Sequence, residues 1–125
     1  MSYKVLVLDI DGTLMNSEKK ITEKTKVALR AAQEAGVTIV LASGRPTPGI
    51  VPIAKEIGLD EYGGYILSFN GAIVTNFKTG EIVFETVLPH DKMQELYDAS
   101  QTYGVSIVSY KDGGIVTENE DDKYV

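Results

Sequence analysis

A chain of 125 residues, 43% hydrophobic and 24% charged, has room for one domain, or one domain and part of a second, with an ordinary core. Its net charge of -6 argues against nucleic acid as a partner but leaves a phosphorylated small molecule open, because a local cation offsets an acidic average. With no cysteine there are no disulfides or thiolate metal sites, and the Val5–Leu8 run is too short for a leader core or a membrane span, so the cytoplasm and no membrane partner are expected.

Lys4 to Asp9 reads as a strand buried on both faces, a Val/Leu run that ends at a carboxylate. A polar loop, Gly12 to Lys20, follows. Thr22 can cap a helix that carries Val27, Ala28, Ala31 and Ala35 at helical spacing, and Gly36 stops it. Val37 to Leu41 is a second buried-type strand. Thr47-Pro48 opens another helix with Ile50, Ile53, Ala54 and Ile57 on one face, although Pro52 loosens its first turn. Tyr65 to Phe69 is the third strand.

Alternating strands and helices of this kind predict a Rossmann-like α/β core with a parallel sheet. Ligands of such sheets bind at the carboxyl ends of the strands, where Asp9 and Ser43 both fall. Beyond Phe69 the pattern changes. Ile73–Asn76 and Ile82–Phe84 read as hairpin arms around Thr79-Gly80. Asp91 to Tyr103 is an amphipathic helix with Met93, Leu96, Tyr97, Ser100 and Tyr103 inward, and Val105–Tyr110 and Ile115–Thr117 are strands. A domain boundary is expected at Glu85 to Pro89, dividing residues 1–85 from 86–125.

Asp9-Ile10-Asp11-Gly12-Thr13-Leu14 carries the chemistry. Residues two apart on an extended backbone point the same way, so both carboxylates can face one pocket, where a divalent cation relieves their repulsion. A bare Asp-x-Asp before glycine is also an ordinary turn; the apolar strand before it favours the functional reading. Ser43-Gly44-Arg45 follows another strand and offers a hydroxyl, backbone N–H groups and a guanidinium, a set that suits a phosphoryl group. Asn70-Gly71 reads equally as a hairpin turn or as part of this site.

These segments resemble the haloacid dehalogenase (HAD) superfamily of phosphohydrolases. Asp9 to Leu14 is similar to its first motif and Ser43-Gly44-Arg45 to its second, in the form of the Cof-type phosphatase branch. Phe69-Asn70-Gly71-Ala72 resembles the entry to that branch's type IIB cap. The resemblance implies a partial core, residues 1–85, followed by the beginning of an α+β cap, residues 86–125. It implies a Mg²⁺-dependent phosphatase of small phosphorylated metabolites, sugar phosphates among them, acting through an aspartyl-phosphate on Asp9. Asp9 and Asp11 would be the catalytic pair and the metal ligands, Asp11 through its backbone carbonyl. The Asp11 side chain would act as acid and base, its pKa raised by neighbouring negative charge. Gly12, Thr13, Ser43, Gly44, Arg45, Asn70 and Gly71 would bind phosphate or substrate. The family's lysine and its second acidic pair would lie downstream of the cap, and nothing after Ser43 matches them, so a whole family member is expected to be about twice as long. Alternatives are a phosphomutase with the same intermediate, or a catalytically incomplete fragment or binding domain. A phosphoacceptor receiver is disfavoured, since its aspartate would end the third strand, where Phe69-Asn70 stands here.

Overall fold

The computed structural model describes residues 3–119, 121 and 123. Of the acidic run from Glu118 to Lys123, Glu120 and Asp122 lie outside the described residues. The chain forms two compact units that meet in sequence between Thr86 and Val87.

The first unit is built on a five-stranded sheet: β1 (Val5–Asp9), β2 (Thr38–Ala42), β3 (Tyr65–Ser68), β4 (Ile73–Asn76) and β5 (Ile82–Glu85), in that spatial order. β1, β2 and β3 are parallel, and β4 and β5 extend the same sheet antiparallel. The helices are α1 (Glu23–Glu34), α2 (Thr47–Glu56) and the short α3 (Leu59–Tyr62). The Rossmann-like reading of the alternating pattern is therefore observed, with an antiparallel hairpin added at one side. That hairpin was legible from Ile73–Asn76 and Ile82–Phe84, and a register shift at Val74/Thr75 marks a bulge in it.

β2 is the buried strand, with Ile39 and Leu41 in the core and Val40 buried behind them. α2 lays Ile50, Ile53, Ala54 and Ile57 into that core, as their spacing predicts, and it accommodates Pro52 within its length. Two burial expectations are corrected. Val5 and Val7 on β1 are exposed, because among the described residues only β2 pairs with that strand. In α1 the inward residues are Leu29 and Gln33, while Val27, Ala28, Ala31 and Ala35 are exposed. Leu29 is the one large aliphatic side chain able to reach the core, so it sets the rotation and the alanines follow. The start of α1 is as expected: Thr22 Oγ1 accepts the Thr25 backbone N–H at 3.2 Å.

The second unit holds α4 (Lys92–Tyr103) and a hairpin of β6 (Val108–Lys111) and β7 (Gly114–Thr117). β6 starts three residues later than expected. Gly104 is left-handed, its N–H bonds Gln101 O and the Val105 N–H bonds Ser100 O, so Val105 is used in closing the helix. Of the side chains expected inward on α4, Ser100 is buried, whereas Met93, Leu96 and Tyr103 are exposed. One helix and one hairpin offer too little surface to cover a full apolar stripe. Among the described residues no helix is long and apolar enough to cross a membrane.

Candidate active site

Register builds the site. Asp9 on β1 pairs with Ala42 on β2, and Ala42 pairs with Leu67 on β3, so three carboxyl-terminal strand ends lie side by side. An open cleft of about 310 Å³ sits there, lined by Asp9, Ala42, Ser43, Gly44, Leu67, Asn70 and Gly71. Its position, outside the carboxyl ends of the parallel strands, is the one that such sheets give to ligands.

The loop after β1 is fixed by its own backbone. Leu14 N–H donates to Asp9 O at 3.1 Å and Met15 N–H to Ile10 O at 2.9 Å. Ile10, Leu14 and Met15 are buried and anchor the turn, while Asp9 and Asp11 on either side of Ile10 stay accessible. Gly12, at φ 82, allows the reversal.

The two remaining loops are stitched to each other. Asn70 N–H donates to Ser43 O and Phe69 N–H to Arg45 O, at 3.1 and 3.0 Å. Phe69, Asn70 and Gly71 are all left-handed, with φ of 51, 57 and 89. Phe69–Ala72 is also the loop of the β3–β4 hairpin, whose last pair is Ser68 and Ile73, so Asn70-Gly71 is at once a turn and a wall of the cleft. A bulky residue such as Phe69 holds positive φ only when its surroundings impose it, and these cross-loop bonds do so. Asn70 also explains Gly44: a Cβ there would lie 2.9 Å from Asn70 Oδ1. Ser43 Oγ accepts the Arg45 backbone N–H at 3.2 Å, which leaves the hydroxyl proton to donate elsewhere.

Asp11 and Arg45 form a two-bond fork, Nε to Oδ2 at 2.8 Å and Nη2 to Oδ1 at 2.6 Å. This corrects the expected direction of the Asp11 pKa. Hydrogen bonding from the Arg45 guanidinium holds the Asp11 carboxyl below the usual carboxylate value; desolvation opposes it, and the Arg45 and Lys19 charges add to the lowering. Of the predicted site residues, Asp9, Ser43, Gly44, Asn70 and Gly71 meet at the cleft; Gly12, Thr13, Asp11 and Arg45 are not among its lining residues.

Sequence reasoning missed Ala42 and Leu67, which contribute to the lining, and the Thr47–Ser68 hydroxyl pair, 2.7 Å apart, which ties the end of β3 to the start of α2. A serine ending an apolar strand was the available signal for the second. Asp9 supplies a hard carboxylate of the type that Mg²⁺ takes while keeping most of its waters. Among the described residues no group of three His, Cys, Asp or Glu side chains converges. Another cleft of about 310 Å³, in the second unit, includes Glu118, whose carboxylate already accepts from Tyr97 and Gln101.

Residues 6–125 match the family model of haloacid dehalogenase-like hydrolases. The chain belongs to that family. A haloacid dehalogenase-like hydrolase from Bacteroides thetaiotaomicron has a crystal structure that superposes with a TM-score of 0.89 at 47% identity, over 97% of this chain and 46% of that one. The HAD subclass IIB sugar phosphatase BT4131 superposes at 0.76 with 27% identity, over 91% of this chain and 43% of that one. The Bacillus subtilis protein YxeH, provisionally named a phosphatase, is 39% identical over 119 residues, which are 95% of this chain and 44% of YxeH. This HAD-like chain thus spans less than half the length of these relatives.

Proposed function

We propose that this chain supplies the nucleophile half of a Mg²⁺-dependent phosphatase that acts on a small phosphorylated metabolite, such as a sugar phosphate, through an aspartyl-phosphate. The observation that carries the proposal is the placement of Asp9: a carboxylate at a strand end, facing a cleft whose other walls are the Ser43-Gly44 and Asn70-Gly71 loops. The relationship to a HAD sugar phosphatase adds support for the substrate class.

In the first step a carboxylate oxygen of Asp9 attacks phosphorus as the bond from phosphorus to the ester oxygen breaks. The leaving alcohol takes its proton from Asp11. In the second step water attacks the phosphorus of the aspartyl-phosphate and gives a proton to Asp11, releasing inorganic phosphate and the Asp9 carboxylate. The Ser43 hydroxyl and the Gly44 and Gly71 backbones hold phosphoryl oxygens. Asp9, with the Asp11 backbone carbonyl, would hold Mg²⁺, which when bound offsets the charge of the phosphoryl group. The Arg45 pair favours the ionised Asp11 that the second step needs; a phosphate dianion beside Asp11 acts in the opposite direction and favours the acid of the first.

The test is rapid quench of the full-length protein with p-nitrophenyl phosphate and Mg²⁺, followed by intact-mass analysis. A phosphorylated species that disappears in Asp9→Asn, together with turnover, is the expected result. Undiminished turnover in Asp9→Asn would remove Asp9 as nucleophile.

A further inference from the structure

We infer that Arg45 is the positioning residue for Asp11 and not a phosphate ligand, an inference that rests on the aspartyl-phosphate reading above. Both oxygens of the Asp11 carboxylate accept from the same guanidinium, at 2.8 and 2.6 Å. Among the described residues no other side chain bonds that carboxylate. The Asp11 side chain is 52% exposed, so packing alone does not choose its rotamer.

Arg45, in contrast, is held on several sides. Its N–H donates to Ser43 Oγ, its carbonyl accepts from Phe69, and its Nη1 reaches Gly49 O at 3.5 Å on the first turn of α2. The Arg45 side chain thus leaves a loop whose backbone is fixed at two points, and its fork is the one side-chain contact among the described residues that orients the Asp11 carboxylate. The Nε and Nη2 edge that would grip a phosphate bidentately is the edge already committed to Asp11. To serve phosphate it would have to break two charge-assisted bonds and leave Asp11 without a partner. A planar fork imposes an orientation that a point charge cannot, so lysine is not an equivalent replacement.

An acid–base group displaced by about 1 Å loses on the order of 100-fold in rate. Arg45→Ala in the full-length protein should therefore lower kcat on an alkyl phosphate roughly 10- to 100-fold, with KM changed less than about threefold. With p-nitrophenyl phosphate, whose leaving group needs little protonation, Asp11→Asn should let phosphorylated Asp9 accumulate because its hydrolysis is slowed, and Arg45→Ala should do the same. In an Asp11→Asn background, Arg45→Ala should add little further loss of kcat, since the two residues act as one unit. Arg45→Lys should remain impaired, and circular dichroism should show all variants folded.

A tenfold or larger rise in KM with kcat intact, additive losses in the double variant, or full activity in Arg45→Lys would each overturn the inference. Those results are distinct from failure of the parent reading, which would appear as turnover that survives Asp9→Asn.

Discussion

Asn70 and Gly44 share one space: the Asn70 side-chain oxygen occupies the position against which any Cβ on Gly44 would press, at 2.9 Å. The two residues come from different loops, one after β2 and one after β3, and both line the cleft beside Asp9. Gly44→Ala should displace the Asn70 amide and weaken binding of inorganic phosphate, by roughly tenfold if one well-placed contact of about 1.4 kcal/mol is lost. Asn70→Gly keeps the left-handed backbone and removes the obstructing amide. In that background Gly44→Ala should cost little more. Calorimetric titration of phosphate into the four proteins of the cycle checks this, and additive losses would mean that the two loops do not interfere.

The face of α1 is open to a direct test. Leu29 is buried, whereas Val27, two residues earlier, is 67% exposed. Leu29→Ala should lower stability by about 2–3 kcal/mol, the cost of lost apolar burial and the cavity left behind. Val27→Ala should stay within about 0.5 kcal/mol. Urea unfolding of the intact protein measures both, and comparable losses would show that the helix is rotated from the position described.

The contrast between these residues shows what the sequence could carry. α2 was legible because four apolar residues at helical spacing, Ile50, Ile53, Ala54 and Ile57, define a single face. α1 was not, because its alanines fit either side and Leu29 alone decides. β1 was legible as a strand, whereas its pairing was not: a strand's own composition does not record its partners, of which the described residues show β2. Asp9 stood out because a carboxylate ended an apolar run. The Asp11–Arg45 fork was hidden for a different reason. It exists because Asp9 and Ala42 are in register, which places Asp11, two residues beyond β1, opposite Arg45, three beyond β2. Register is a property of two strands, and neither motif alone contains it.

In the second unit the Tyr97 hydroxyl donates to Glu118 Oε2 at 2.9 Å. That hydrogen bond, reinforced by the Glu118 charge, raises the Tyr97 pKa above the ordinary tyrosine value of 10.0, and desolvation and Asp98 act the same way. The stabilising contribution belongs to the neutral phenol. It is fully present below about pH 10 and is lost as pH rises through the raised value. The phenolate absorbance of Tyr97, isolated as wild type minus Tyr97→Phe, should appear later than that of a free tyrosine. Glu118→Gln should move it back down, and an unchanged titration in Glu118→Gln would show that the bond is not made in solution.

The sharpest steric demand in the first unit falls on Gly64, at the entrance to β3. Its φ is +147, and a Cβ there would stand 2.5 Å from the Ile39 carbonyl oxygen and 2.9 Å from Leu59 Cδ2. Neither neighbour has room to retreat, since Ile39 and Leu59 are both fully buried in the core, and the Gly64 carbonyl is itself fixed by the Phe77 N–H. Gly80, in the β4–β5 hairpin, also has positive φ, +74, but nothing lies within 4 Å of a Cβ built on it. The two positions separate conformational strain from collision. Gly80→Ala should cost only the left-handed penalty, about 1–2 kcal/mol. Gly64→Ala adds a clash with backbone at the junction of β2 and β3 and should cost about 4 kcal/mol or more, placing it in the exceptional tail of single substitutions. Thermal melts of the two variants against wild type distinguish these magnitudes. Equal losses would mean that β3 does not enter the sheet against Ile39 as described, and the alignment of Asp9, Ala42 and Leu67 that forms the cleft would then have to be redrawn.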